Sequence, residues 1–138
     1  MIEVKFFYRN SEENSGFRSG EVKSRELGSK EVKSKEISGF QIKGHAGFAK
    51  KGKDIVCSAV SALAQTAVIG LGEYLQKSSF EYSINDDGYL ECMLKNSLTT
   101  EENKAAQIIL KTMYLGIESI AESYASHVRI IKGGVDDA

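Results

Sequence analysis

The run from Ile55 to Gln76 limits what this chain can fold into more than any other stretch. Ile55, Val56, Ala59, Val60, Leu63, Ala67, Val68, Leu71 and Leu75 recur there at helical spacing and leave little polar circumference. A helix of that kind is buried on more than one side, and in a small domain one of those sides is often a subunit interface. Asp54 stands directly before it and reads as the N-cap, because its carboxylate accepts from the open amides of a first turn. The rest of the chain must therefore cover this helix, and 138 residues is a length for one domain, here 1–138.

The covering elements can be read on either side. Ile2 to Tyr8 alternates and is rich in β-formers, so it predicts a strand. Ile37 to Lys43 predicts a second. Residues 80–94 form two β-rich runs around Asn85-Asp86-Asp87-Gly88, a hairpin signal. Thr99 and Glu102 have the spacing of a capping box. Beyond them Ala106, Ile109, Met113, Ile117, Ile120 and Tyr124 share one helical face, with Lys104, Gln107, Lys111, Glu118 and Glu122 mostly opposite. Residues 127–132 predict a last strand, and Gly133 to Ala138 a frayed tail. The order β-β-α-β-β-α-β predicts an α+β fold: a mixed, mostly antiparallel sheet packed with two long helices. Between the first two strands, at about 10–36, lies a polar insertion with an imperfect ten-residue duplication (21–30 and 31–40). It is too polar to pack as a core and reads as a passenger on the surface, the alternatives being an arm that binds a partner or a gate over the substrate cleft.

Composition narrows the function. A formal net charge of −1 gives no reason to expect direct nucleic-acid binding. No uninterrupted apolar run reaches the roughly 18 residues that cross a bilayer, and the charged N-terminus does not read as a signal peptide. A cytoplasmic protein with no membrane partner is expected, with Cys57 and Cys92 as free thiols. Two Cys and two His, widely scattered, match no zinc spacing, and the thiol chemistry set out below needs neither a metal nor a cofactor.

The chemistry-bearing residues lie where the second strand gives way to the long helix. With Asp54 as cap, Cys57 is the third helical residue, where the helix dipole and open amides favour a thiolate. Asp54 opposes this with its own charge. His45 sits across the intervening loop and is the one nearby group suited to acid–base work near neutral pH. Ser61 shares the helical face of Cys57. The Cys57 amide and those of the Gly-rich loop are candidate oxyanion donors. The same residues have a plainer reading: a small apolar-face cysteine is usually core, and a loop histidine usually has no role.

The motif decides between them. Gly44-His45-Ala46, then Gly52, Asp54-Ile55-Val56-Cys57 and Ser61, resembles the signature of the ribosomal-processing cysteine proteases, the Prp family of bacteria. The resemblance implies a cysteine endopeptidase that removes the N-terminal extension of large-subunit ribosomal protein twenty-seven, supporting ribosome assembly. It implies Cys57 as nucleophile, His45 as base and then acid, and support from Asp54, Ser61 and Gly44. It implies a ribosomal protein precursor as substrate, cut after an aromatic-rich segment and before a small residue, and a homodimer. The polar insertion departs from the family pattern. The Ala46–Lys53 loop is expected to move and to decide when His45 meets Cys57. The rival reading is a non-catalytic dimeric module that binds a ribosomal or other basic protein.

Overall fold

A computed structural model describes residues 1–10, 35–45, 47, 49–50 and 54–135. Most of the polar insertion, most of the Ala46–Lys53 loop and the last three residues lie outside that set, and with them the expectation of loop movement. The described elements are β1 (Ile2–Asn10), β2 (Lys35–Lys43), α1 (Ile55–Tyr74), a 3₁₀ turn (Lys77–Ser79), β3 (Phe80–Asn85), β4 (Tyr89–Leu94), α2 (Thr100–Ser123) and β5 (Val128–Val135). The α+β order read from the sequence is the order of the structure.

One five-stranded sheet runs β3-β4-β2-β1-β5. Every neighbouring pair is antiparallel except β1 with β5, which is parallel. Register places Val4 opposite Ile42 and Ile42 opposite Leu90, so the apolar residues of successive strands share a face. Both helices pack side by side on that face, and the core forms between them and the sheet. Phe6 anchors it, with its ring edge-on to Tyr114 at 5.0 Å and tilted against Phe40 at 6.3 Å. The other face carries Glu3, Lys5, Gln41, Lys43 and Glu81, which suits a sheet wetted on one side.

Four expectations are corrected. First, α1 passes by length and composition as a membrane span, against the expectation of none, yet its inner face is core, along Val56, Val60, Ala64, Ala67, Val68 and Leu71. Ile69 on its outer side is 73% exposed within this one chain. Second, β5 runs to Val135 where a frayed tail was expected from Gly133, because its backbone pairs in parallel with β1 as far as Tyr8. Third, the strands bordering the insertion continue to Asn10 and from Lys35, and those two residues face each other in the ladder.

The fourth correction is Gln107, expected on the outer face of α2. It is buried, accepts from the Ile37 amide at 2.9 Å and donates to the Ile37 carbonyl at 2.9 Å. Beside it, Asn103 donates to Glu36 at 3.0 Å and accepts from Arg9 at 3.0 Å. Arg9 and Glu36 themselves pair at 3.4 Å. The mechanism is local: β2 shifts register against β1 near Phe7/Tyr8, and the side-chain amide supplies the Ile37 backbone with partners there. This polar clamp fastens the ends of both strands to α2.

Candidate active site

The opposite end of the sheet holds the chemistry. β1 begins there, β2 ends there, the β3–β4 turn lies beside them and α1 starts there. These four features enclose a cleft of about 430 Å³. Its lining includes Gly44, His45, Asp54, Cys57 and Ser61, so all five residues singled out in the sequence meet at one place.

Asp54 organises the helical side. Its Oδ1 accepts from the Val56 amide at 3.0 Å and from the Cys57 amide at 2.9 Å. Its Oδ2 accepts from the Ala49 amide at 3.3 Å, which ties the incoming loop to the helix start. The carboxylate is 5% exposed, so it is held by these amides rather than by water. Cys57 is half-buried in the first turn, and Ser61 lies one turn further on and is exposed.

This capping corrects one expectation. The Cys57 amide points to Asp54, and the Ser58 amide donates to the Asp54 carbonyl at 3.1 Å. Neither aims at a developing oxyanion. Other residues that carry donors line the cleft in their place: Ser58 and Ser61 with hydroxyls, Gln65 and Asn85 with side-chain amides.

His45 stands on the other side, exposed, directly after Gly44. Gly44 has φ +93°, in the region only glycine enters cheaply, and a Cβ there would lie 2.6 Å from the Met1 carbonyl oxygen. The strand end thus turns sharply against β1, and His45 leaves the sheet into the cleft. The β3–β4 turn closes the third side through Asn85, Asp86 and Gly88. The sequence shows this turn as a hairpin but not as a wall of the cleft. Its composition announced the turn; only the cross-strand register places it beside His45.

The second cysteine has a different setting. Cys92 lies in β4, 1% exposed, and burial pushes its thiol up to about 12 with the charge of Glu91 adding to the shift. Neither cysteine is in a disulfide. Among the described residues no group of three or more His, Cys, Asp or Glu side chains is arranged to hold a metal.

Comparison with known proteins supplies the context. A sequence profile described as "Cysteine protease Prp" matches residues 29–129. The ribosomal processing cysteine protease Prp of Bacillus subtilis is 31% identical over 90 residues, covering 63% of this chain and 78% of that protein. The protein of the same name from Staphylococcus aureus is 33% identical over 90 residues, with the same coverage of 63% and 78%. Among solved structures, the S. aureus ribosomal processing protease Prp with a covalently linked product peptide superposes with a TM-score of 0.68 at 21% identity, over 96% of this chain and 100% of that one. The protein SMU.848 of Streptococcus mutans superposes with a TM-score of 0.60 at 25% identity, over 96% of both chains.

Proposed function

This chain belongs to the family of the cysteine protease Prp, and from that premise we propose that it is an endopeptidase that trims the N-terminal extension of large-subunit ribosomal protein twenty-seven, with Cys57 as nucleophile and His45 as acid–base. The observation that carries the reading is the convergence of Gly44, His45, Asp54, Cys57 and Ser61 on one cleft from segments that enter it separately. A thiol that served only as core would gain nothing from half-exposure in an open cleft that a histidine also lines.

The reaction follows from these groups. His45 takes the proton of Cys57, and the sulfur attacks the scissile carbonyl carbon. The tetrahedral oxyanion is held by cleft donors other than the Cys57 amide, such as Ser61 or Gln65. His45 then protonates the departing amine as the C–N bond breaks, leaving a thioester on Cys57. Water, deprotonated by His45, releases the acid product and restores the thiol. Asp54 keeps the first turn of α1 intact and so fixes the sulfur.

A cytoplasmic setting suits two cysteines that are not joined in a disulfide. A homodimer suits the outer side of the helix pair, where Ile69, Ile108 and Leu115 are 73%, 68% and 62% exposed.

The test is cleavage of a peptide in which an aromatic-rich segment precedes Ala or Ser. The wild-type protein is expected to cut before the small residue. Cys57→Ala and His45→Ala are each expected to lower the rate by roughly 10³-fold or more. Cleavage that persists in Cys57→Ala sinks the nucleophile assignment.

A further inference from the structure

His45 is exposed and directly follows Gly44 where β2 has ended. An acid–base imidazole must nevertheless stay aligned through two proton transfers. Among the described residues, one that approaches the ring is Gly88, from the β3–β4 turn. A Cβ built on Gly88 would stand 2.9 Å from His45 Cε1 and 3.2 Å from Nε2, and 2.9 Å from the Gly44 carbonyl oxygen. The bare backbone of this turn is thus the surface against which the imidazole lies.

The turn is well placed to be a rigid backstop. The β4–β2 register pairs Leu90 with Ile42, so the same ladder carried two steps further sets Gly88 against Gly44. Asn85 pairs with Tyr89 across the hairpin, and the Asp87 amide donates to Asn85 Oδ1 at 2.8 Å. Gly88 itself has φ +83°. The conformation and the contact both demand glycine, for different reasons.

We propose that Gly88 is a positioning residue for His45: its missing side chain leaves the space the imidazole occupies, and the hairpin turn holds the ring aimed into the cleft. The inference rests on the reading of His45 as the acid–base group. A methyl at Gly88 forces the ring back by roughly 0.6 Å to reach ordinary van der Waals separation. Displacement on that scale disturbs proton transfer far more than substrate binding.

The test uses Gly88→Ala and Gly88→Asn in the full chain. Asn tolerates a left-handed φ better than Ala, so it separates backbone strain from the contact with His45, which both variants make. The expected result is a fall in kcat of roughly 10- to 100-fold in both, with KM changed by less than about twofold. The His45 Cε1–H NMR resonance should shift, and the pH profile of cleavage should move with it. Near-wild-type kcat in either folded variant overturns the proposal, as does an unmoved His45 resonance. A loss confined to Gly88→Ala that tracks its melting temperature overturns it too, since strain alone then explains the effect. Retained activity in His45→Ala instead removes the reading beneath it, whatever the Gly88 variants do.

Discussion

The two ends of the sheet are built on opposite principles. At the far end, Arg9, Glu36, Asn103 and Gln107 interlock, and the buried Gln107 amide satisfies both backbone groups of Ile37. At the cleft end, two left-handed glycines face each other, a histidine is exposed, and polar side chains line open space. The strands between them, nine residues each in β1 and β2, separate the ends by roughly 26 Å. The interlocked side-chain clamp lies away from the cleft, which leaves the cleft end able to expose polar groups and a thiol. The difference teaches that a small domain can keep a reactive site open when its fastening lies elsewhere.

The two cysteines give the sharpest way to break this comparison. Cys57 borders the cleft, while Cys92 is sealed under the helices with its thiol pushed up to about 12. Iodoacetamide at neutral pH is expected to label Cys57 at least ~10³-fold faster, because Cys92 must wait for an opening of the core. Peptide mapping of the labelled sites checks this, and comparable rates would erase the distinction.

Gln107→Leu probes the fastened end. It strands the Ile37 amide and carbonyl, and is expected to cost about 3 kcal/mol in urea unfolding. Peptide cleavage by the folded variant should stay within about twofold of wild type. A large loss of kcat at unchanged stability would show that the ends are coupled rather than separate.

Alkaline pH tests the core between the ends. Burial raises Cys92 from 9.0 to about 12, and burial with the charges of Tyr114 and Glu118 raises Tyr8 from 10.0 to about 12. Both groups hold their protons more tightly when folded. The unfolded chain therefore binds fewer protons above pH ~9, and stability falls as pH rises from there toward 12. Chemical denaturation between pH 8 and 11 should show the decline, and a Cys92→Ala variant should show less of it.

The smallest effect is expected from removing residues 11–34. Asn10 and Lys35 are partners in the ladder, so a short hairpin turn can join the strands in register. Cleavage should change by less than about twofold. A substantial loss of activity would show that the insertion reaches the cleft and is no passenger.

Much of this was legible because it is local. Asp54 and Thr99 announced their helices by type and spacing, and both cap as expected, Thr99 in a reciprocal box with Glu102. The strands showed by alternation and the hairpin by its turn residues. The residues of the cleft were legible where they cluster in sequence, from Gly44 to Ser61. Gln107 was misread because helical periodicity assigns faces by polarity, and a shifted β-ladder can demand an amide in the core. Gly88 was missed because its neighbour His45 comes from a strand paired only in three dimensions. The Cys57 amide was misassigned because a cap consumes the donors it advertises.

The Asp54 carboxylate has one more consequence. One oxygen holds the start of α1, and the other holds Ala49 of the loop that borders the cleft. Loop and helix thereby share one buried carboxylate. Drawing Ala49 away removes one amide from Oδ2 while Oδ1 keeps the helix start, so moving the loop costs a charge-assisted hydrogen bond without unwinding α1.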